Sequence, residues 1–441
     1  MSAIIMAGQL LLALSILVGL HEAGHLLAAK MFGMKVEKFS IGFPPKIWGF
    51  QYGETEYSIG AIPLGGFVKI SGMIDESLDT KQLSAEPEPW EFRAKPAWQR
   101  LIVMLGGIIV NVITGIFIFV TLTFVYGENY VSKEELNKDG IVSYSLGTEM
   151  GFQTGDKIIK VNGQDFRGFN EAVSPDVILS DNGYYTVQRD GELIDLKIPD
   201  NFLDKYTERK AEFIDYRQRF EVGEISKEKG NAFKAGLKEG DKIEQVNGKD
   251  VEFFDEFSEI LGDNRGKEVD LTILRDGEKE NLAIVVNENG VLGFTIKSLI
   301  TKSHEDFSFG ESISRGTKRA FDVVWVNVKA FKKMFTGQVS ASKSLSGPIG
   351  IARIFGDNFS WIKFWTITGL LSMVLAFMNL LPIPALDGGH VVFLIYEIVS
   401  GRKPSEKFME NAQKVGMVLL LGLMVFAFGN DIYKLIIEKF S

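Results

Sequence analysis

The stretch His21-Glu22-Ala23-Gly24-His25 decides how this chain folds, because it places two histidines and a carboxylate inside an otherwise apolar segment, residues 4–29. In a helix, residues i and i+4 lie on one face about 6 Å apart, so His21 and His25 can reach one metal ion. Glu22 lies beside that face and is not needed as a ligand. The spacing is typical of a zinc hydrolase, with two nitrogen ligands, a carboxylate base, and positions left for a third ligand and water.

The alternative is a chance match, or a pair of histidines satisfied inside a core. An ionisable group in a membrane helix costs about 2.5–3.5 kcal/mol, so it usually has a functional partner. The chain has only four histidines, and three of them, His21, His25 and His390, fall in or beside apolar segments. This concentration favours the metal site.

Composition indicates a membrane protein with a large soluble portion. The 441 residues can hold two to four domains. Mean hydropathy is +0.08, too high for an ordinary soluble protein and too low for one wholly in lipid. The absence of cysteine excludes disulfides and thiolate ligands, and the net charge of −9 argues against nucleic acid as a partner. The first segment has neither a basic start nor a clean cleavage site, so we expect a retained helix.

Four apolar segments are long enough to cross about 30 Å of hydrocarbon, at about residues 4–30, 101–126, 361–381 and 415–436. The last of them is weakened by Asp431. Lysines and arginines flank the membrane ends of the two loops 33–97 and 401–414, which predicts that these loops are cytoplasmic. The acidic middle portion and both termini then lie outside. A transporter is disfavoured, because only four spans and no inverted repeat are found.

The segment Thr55–Gly72 is apolar but has the pattern of strands, with Gly65-Gly66 as a hairpin-type signal. One interpretation is a small cytosolic hairpin that packs on itself. The other is a hairpin that dips towards the metal site and offers an edge strand, including Gly65, Gly66 and Phe67, to an extended substrate. The residues alone do not separate the two.

The middle portion contains an internal repeat. Residues 155–163 (GDKIIKVNG) recur as residues 240–248 (GDKIEQVNG), and Arg189-Asp190-Gly191-Glu192 recurs as Arg275-Asp276-Gly277-Glu278. The spacing predicts two copies of one small β-rich domain in tandem. They resemble a pair of PDZ domains, whose grooves bind a chain end or an extended segment; two generic β-rich modules are the alternative.

Residues 313–335 mix basic and aromatic residues at helical spacing. The pattern predicts a basic amphipathic helix on the membrane surface, and a helix that faces the core is the alternative.

The third span ends in a segment with two prolines, residues 379–390 (NLLPIPALDGGH), which carries Asp387 into an apolar setting. A carboxylate there needs a partner, and a cation held by His21 and His25 would complete a His₂Asp site with room for water. The alternative is that Asp387 caps a helix that begins at Gly388. His390 is interpreted as a neighbouring residue and not as a ligand.

The paired motifs HEAGH and LDGGH, with four spans and PDZ-like domains between the second and third, resemble the site-2 protease family along essentially the whole chain. The resemblance implies zinc bound by His21, His25 and Asp387, with Glu22 as general base. It also implies that Asn379 and Pro382 help to hold the substrate and that residues 55–72 form a membrane-re-entrant β-hairpin. One departure is residues 107–111 (GIIVN), where the family has Gly-Pro-x-x-Asn.

The predicted fold is a multi-pass α-helical membrane protein with four transmembrane helices, a membrane-associated β-hairpin, and two PDZ-like domains inserted between helices two and three. The predicted function is intramembrane zinc proteolysis of single-span membrane proteins, with a pre-cut anti-sigma factor and signal-peptide remnants as the implied substrates. The PDZ-like domains would gate substrate size, or bind peptides. The alternative is a membrane-anchored peptide-binding scaffold with a structural zinc site.

The expected location is the bacterial inner membrane, with the PDZ-like domains and both termini periplasmic and the active site towards the cytoplasm. The predicted segments are a first membrane helix with the zinc motif (1–32), a cytoplasmic loop with the re-entrant hairpin (33–97), a second membrane helix (98–127), two PDZ-like domains (128–210 and 211–300), an amphipathic helix (305–345), a third membrane helix with the Asp-bearing motif (346–400), a cytoplasmic loop (401–414) and a fourth membrane helix (415–441).

Overall fold

The computed structural model describes residues 2–73, 86–199, 201–209, 212–226, 230–340, 342 and 347–440. The chain divides into two compact units: a membrane unit, built from the residues up to Gly127 and from Asp306 onward, and an inserted unit, Glu128–Glu305. Among the residues described, four helices of the membrane unit are long and apolar enough to cross a bilayer. The predicted fold class is confirmed.

The first part of the membrane unit contains two long helices joined by a small sheet. Its elements are α1 (Ser2–Met31), β1 (Val36–Tyr52), β2 (Thr55–Ile70) and α2 (Ala97–Tyr126), with a 3-10 turn at Phe92–Ala94 before α2.

The β-hairpin is larger than the sequence predicts, and it has a further turn outside the predicted segment. Tyr52 pairs with Thr55, so the turn is at Gly53-Glu54, where Gly53 has a φ of 59°. Residues 38–41 of β1 pair on one side with residues 66–69 and on the other with residues 56–59. Residues 56–59 run in the same direction as residues 38–41, and residues 66–69 run in the opposite direction, so the chain also reverses between Ile59 and Gly66, next to the predicted Gly65-Gly66 signal. Residues 66–70 form the outer segment of β2.

The inserted unit contains both copies of the repeat. Its first module comprises β3 (Glu128–Tyr130), α3 (Lys133–Asp139), β4 (Ile141–Ser143), α4 (Ser145–Met150), β5 (Lys157–Val161), α5 (Phe169–Ala172), α6 (Pro175–Ile178), β6 (Tyr184–Arg189), β7 (Glu192–Lys197), α7 (Phe202–Arg209) and β8 (Ile214–Tyr216). Its second comprises β9 (Phe220–Ile225), α8 (Asn231–Lys234), β10 (Lys242–Val246), β11 (Lys249–Asp250), α9 (Phe254–Asp263), β12 (Glu268–Arg275), β13 (Glu278–Val285) and β14 (Phe294–Ser298). A last strand, β15 (Ser303–Glu305), pairs with β3.

In each module, the two repeated motifs contact each other through a buried ion pair between an aspartate and an arginine. Asp156 accepts a bidentate contact from Arg189 at 2.7 Å, and Asp241 accepts one from Arg275 at 2.6–2.8 Å. Both aspartates are about 2% exposed. Because these hydrogen bonds favour the charged form, the pKa of each arginine is raised.

The first module extends beyond the predicted boundary at residue 210. β8 pairs with β4, and the side chains of Phe213 and Ile214 lie in the core of the first module. The boundary between the two modules therefore follows Tyr216, because β9 belongs to the second core.

The second part of the membrane unit contains α10 (Phe309–Phe335), α11 (Pro348–Phe355), α12 (Trp361–Leu380), α13 (Asp387–Ser400) and α14 (Glu406–Phe440). Ser308 and Glu311 form a capping box at the start of α10. One face of α10 packs closely on α2, where a Cβ on Gly316 would stand 2.6 Å from the backbone of Val120. Another face exposes aromatic side chains, including Trp325. The helix thus has features of both predicted alternatives.

Asp431, which weakens the fourth span in the sequence, has a structural partner. Its carboxylate accepts hydrogen bonds from the backbone N–H groups of Gly347 (2.9 Å), Ile349 (2.9 Å) and Gly350 (3.0 Å), at the start of α11. Asp431 is 5% exposed, so a buried charge is matched by the amide donors of a helix N-terminus. This contact connects α14 to α11.

Candidate metal centre

The site forms where α1 and α2 cross at close range. A Cβ on Gly24 would stand 2.3 Å from the carbonyl oxygen of Gly106, and a Cβ on Gly107 would stand 2.5 Å from His21 Cε1 and from His25 Nε2. Only glycines allow this approach. The crossing therefore presses both imidazoles of α1 against the backbone of α2.

The two histidines meet a carboxylate from a distant part of the chain. His21 Nε2 lies 3.2 Å from His25 Nε2 and 3.1 Å from Asp387 Oδ2, and His25 Nε2 lies 3.4 Å from the same oxygen. All three residues are largely buried. Among the described residues they form the one cluster of His, Asp and Glu side chains with this spacing.

A tight loop brings Asp387 to this place. After α12 ends at Leu380, the segment Leu381–Leu386 turns back on itself, and a Cβ on Gly388 would stand 2.2 Å from the carbonyl oxygen of Leu381. The cap of α13 is Leu386, and Asp387 is the first helical residue. The alternative that Asp387 caps this helix is therefore wrong, and its carboxylate faces the histidines.

The donor set fits a zinc ion. A tetrahedral ion with ligands at about 2.0–2.1 Å separates neighbouring ligand atoms by about 3.3–3.4 Å, close to the three distances observed. Asp387 Oδ2 is buried and has no hydrogen-bond donor among the described residues. An orphaned carboxylate oxygen between two imidazoles needs a cation.

Each imidazole has an outer partner on α2. His25 Nδ1 lies 2.8 Å from the carbonyl oxygen of Val103, which can only accept, so Nδ1 carries the proton and Nε2 keeps its lone pair. His21 Nδ1 lies 3.2 Å from the side-chain amide nitrogen of Asn111. Asn111 is 1% exposed, and its backbone carbonyl accepts a hydrogen bond from Ser372 Oγ at 2.7 Å.

Glu22 lies between the cluster and the sheet. Its carboxylate interacts electrostatically with both histidines and Asp387, and it lies near the backbone of Val68 in β2. A Cβ on Gly66 would stand 3.1 Å from Glu22 Cγ and 2.8 Å from Val18 Cγ1. The outer segment of β2 therefore runs directly beside the carboxylate.

Of the remaining predicted site residues, some lie close to the His21, His25 and Asp387 cluster and others lie away from it. Asn379 Nδ2 lies 3.3 Å from His21 Nε2, so this amide reaches the cluster. Gly65 lies against the ring of Phe43, and the centroid of the Phe67 ring lies 5.7 Å from Lys38 Nζ. Pro382 is exposed in the loop before Asp387.

Sequence reasoning missed the contribution of α2. Gly107 forms the surface under both imidazoles, and Asn111 contacts His21, but residues 107–111 were noted only as a departure from the family's Gly-Pro-x-x-Asn and were given no role at the metal centre. The available signal was a Gly-Gly pair followed by one buried asparagine in an apolar helix. A polar residue there calls for a polar partner.

Comparison with known proteins places these features in a family. The model of peptidase family M50 matches residues 9–423. The regulator of sigma E protease of Haemophilus influenzae is 31% identical over 97% of this chain and 98% of its own length. The regulator of sigma-E protease RseP of Salmonella typhimurium is 30% identical over 96% of this chain and 98% of its own length.

Proposed function

The chain belongs to peptidase family M50, and on that premise we propose that it hydrolyses peptide bonds within or beside the membrane-spanning segments of single-span proteins. It is a multi-pass membrane protein and a zinc metalloprotease. One observation carries the proposal: three protein ligands converge at tetrahedral spacing beside a carboxylate, Glu22, that is not part of the ligand cluster. A structural site would usually be closed by four protein ligands, which disfavours a purely scaffolding role.

The protein residues divide the chemistry between them. His21, His25 and Asp387 would hold the zinc, which supplies an activated water and a Lewis acid when bound. Glu22 accepts the proton of the attacking water and returns it to the leaving amide nitrogen. The Asn379 amide, 3.3 Å from His21 Nε2, is placed to donate to the carbonyl oxygen of the substrate.

The outer segment of β2 addresses the main obstacle to cleavage. A peptide bond in a membrane helix is protected by its own hydrogen bonds and must be unwound before attack. Residues 66–70 pair with β1 on one side only, and the sheet contains only these two strands among the residues described. We infer that an unwound substrate adds to this edge beside Glu22, so helix-breaking residues in the substrate should help cleavage.

The test is cleavage of a short single-span substrate by the full-length protein in liposomes, with and without a zinc chelator. Glu22→Gln should keep zinc but stop cleavage, whereas Asp387→Asn should lose both. Glu54→Gln, which changes an exposed carboxylate paired with Lys30, is the matched control and should cleave normally. Cleavage by Glu22→Gln at the normal rate would exclude Glu22 as the base.

The names of the relatives suggest the substrate and location. Two of them are called regulators of sigma E, so we infer that a pre-cut anti-sigma factor is one substrate, with signal-peptide remnants as others. The lysines and arginines at the membrane ends of loops 33–97 and 401–414 support an inner-membrane orientation with the inserted unit and both termini periplasmic. Labelling of single introduced cysteines in intact cells tests this orientation, since the chain has no cysteine of its own. If a cysteine in loop 401–414 reacts from the periplasmic side, the orientation is the opposite one.

We infer that the inserted unit limits substrate size, on the basis of its place in the chain between α2 and α10. The structure offers a clean deletion. Tyr130 pairs with Ser303, so a two-residue Asn-Gly turn can replace residues 131–302 and leave β3 and β15 joined. The deletion should allow cleavage of substrates that still carry a large outer domain. Unchanged rejection of those substrates would contradict the filter.

The second module also has a feature that supports peptide binding. In the segment Gly290–Phe294, the backbone N–H groups of Leu292 and Gly293 have no acceptor among the described residues, and Gly293 has a φ of 94°. Successive free amides of this kind form an anion-binding nest. Arg265 lies beside Gly290. We infer that this loop binds a C-terminal carboxylate. In the first module the acidic Glu212 precedes the corresponding strand, β8, so a carboxylate is disfavoured there.

This role can be distinguished from non-specific peptide binding with two labelled peptides of the same sequence, one with a free C-terminus and one with a C-terminal amide. The free peptide should bind the full-length protein at least 10-fold more tightly, and Arg265→Ala should reduce the difference. Equal binding of both peptides would show that the nest is not used.

A further inference from the structure

We propose that a cavity between the start of α2, the second half of α13 and the start of α14 binds the phosphodiester group of an anionic phospholipid. The cavity lies at the membrane end that carries loops 33–97 and 401–414. Glu22 and the three candidate metal ligands do not line it. Its volume of about 60 Å³ has room for about two water molecules, so it admits a headgroup phosphate and not an acyl chain.

The walls of the cavity are formed by two helices and are largely apolar. The face of α13 that turns towards it carries four residues at helical spacing, namely His390, Phe393, Leu394 and Glu397. Met409 lines it from α14. The rings of Phe393 and Phe408 lie 5.8 Å apart, so the two helices are in contact here. A ligand must therefore be recognised by the few charged groups that reach the cavity.

Those charged groups leave one positive charge without a counter-charge. The lining cations are Arg93, Arg100 and Lys403. Arg100 pairs with Glu397, and Arg93 pairs with Glu91. Lys403 has no carboxylate partner among the residues that the structure describes. Three positive and two negative charges remain after this count, and a phosphodiester carries the single negative charge that balances them. Basic pockets between membrane helices bind lipid headgroups in this way.

The surroundings favour a lipid over a free phosphate ion as the source of this group. Trp98 and Trp90 lie at the same membrane end and are 52% and 47% exposed, as is typical of residues at the membrane–water interface. Phe408, which contacts the cavity wall, is 57% exposed, and Val399 at the end of α13 is 81% exposed. These side chains offer an apolar surface to acyl chains beside the cavity, from which an inorganic ion gains nothing.

The cavity also reaches the end of the β-sheet. Gly72 and Met73, which follow the outer segment of β2, line it opposite α13. A bound headgroup would therefore contact the end of the segment that runs beside Glu22, in addition to α13 and α14.

The test is native mass spectrometry of the delipidated full-length protein in detergent, titrated with phosphatidylglycerol or with phosphatidylcholine. Both lipids carry a phosphodiester, but phosphatidylcholine has no net charge. One phosphatidylglycerol should bind about 5-fold more tightly, which corresponds to about 1 kcal/mol for one lysine. Lys403→Gln should abolish this preference, and Lys403→Arg should keep it. Lys407→Gln is the matched control, because Lys407 lies about 200° round α14 from Met409 and does not line the cavity.

Glu397→Gln changes the preference in the opposite direction. It removes a negative charge from the wall and leaves Arg100 to pair with the phosphate, so the preference for phosphatidylglycerol should increase. Loss of packing alone would weaken the binding of both lipids equally.

Three results would overturn the proposal. The first is equal binding of the two lipids by the native protein, and the second is an unchanged preference in Lys403→Gln. The third is displacement of phosphatidylglycerol by inorganic phosphate at equal concentration, which would identify a free ion as the ligand. If Lys403→Gln does not fold, an unchanged or reduced preference in Glu397→Gln contradicts the proposal instead. No peptide substrate is present in these measurements, so their outcome is independent of the proposed proteolysis.

Discussion

The substitution Gly107→Ala probes the metal centre from the side of α2, without touching a ligand. The new Cβ would stand 2.5 Å from His21 Cε1 and 2.5 Å from His25 Nε2, whereas ordinary contacts are 3.4–4 Å. The imidazoles must therefore move by about 1 Å, which is large beside the 3.1–3.4 Å separations of the ligand atoms. A misplacement of about 1 Å can cost about 100-fold in rate.

The fold should survive this change, because Ala is favoured over Gly inside a helix by about 1 kcal/mol. We expect native expression and helicity, zinc binding reduced at least 10-fold, and cleavage reduced about 100-fold. The assay is zinc stoichiometry by metal analysis, together with the rate of cleavage of a single-span substrate in liposomes.

Gly115→Ala is the matched control on the same helix. Its Cβ would meet the flexible side chain of Met373, with the nearest atom, Sδ, at 2.5 Å, and lies away from the ligands. It should retain zinc and most of the activity. Native zinc affinity and turnover in Gly107→Ala would refute the reasoning that backbone contact with Gly107 positions both imidazoles.

Three other perturbations follow from the structure. Gly66→Ala should lower kcat while leaving zinc content unchanged, because the methyl would push the edge strand away from Glu22; an unchanged kcat would place the substrate elsewhere. Asp431→Ala leaves three backbone N–H groups without an acceptor and should loosen the start of α11, seen as faster labelling of a single cysteine at Ala352; an unchanged labelling rate would show that the contact does not hold α11. Burial raises the pKa of Asp215 above its ordinary value of 3.8, so its contribution to stability is fully present below that value and is lost as the pH rises through the raised pKa. Asp215→Asn should therefore slow limited proteolysis of the full-length protein more at pH 7 than at pH 4, and an equal effect at both would contradict this sign.

The candidate ligands of the metal centre were predictable because their chemistry conflicts with their surroundings. His21, His25 and Asp387 are ionisable groups in apolar sequence, and such groups need partners whatever their separation along the chain. The structure brings them together across more than 350 residues. Asn379 lies 3.3 Å from His21, and Gly66 lies beside Glu22, whereas Pro382 is exposed in the loop before Asp387. That Asn379, Pro382, Gly65, Gly66 and Phe67 bind the substrate stays a prediction.

The parts that sequence reasoning missed depend on tertiary contacts. A Gly-Gly pair is compatible with a hairpin turn and with a close backbone contact. Both are found near Gly65-Gly66, because the chain reverses between Ile59 and Gly66 and a Cβ on Gly66 would stand 2.7 Å from the carbonyl oxygen of Ser40. Gly107 is one member of a glycine pair in a helix, and only the crossing with α1 shows why it lacks a side chain. The boundary after Tyr216 was missed for a similar reason: β8 follows the first repeat closely but pairs back with β4.

The hydrogen bond from His25 to the carbonyl oxygen of Val103 has an evolutionary consequence. A main-chain acceptor survives replacement of the side chain at its own position, so no single codon change at residue 103 can delete it directly. The partner of His21 is a side chain and is open to heritable adjustment. Variation in metal affinity among descendants of this protein should therefore accumulate at position 111 and leave the environment of His25 almost invariant.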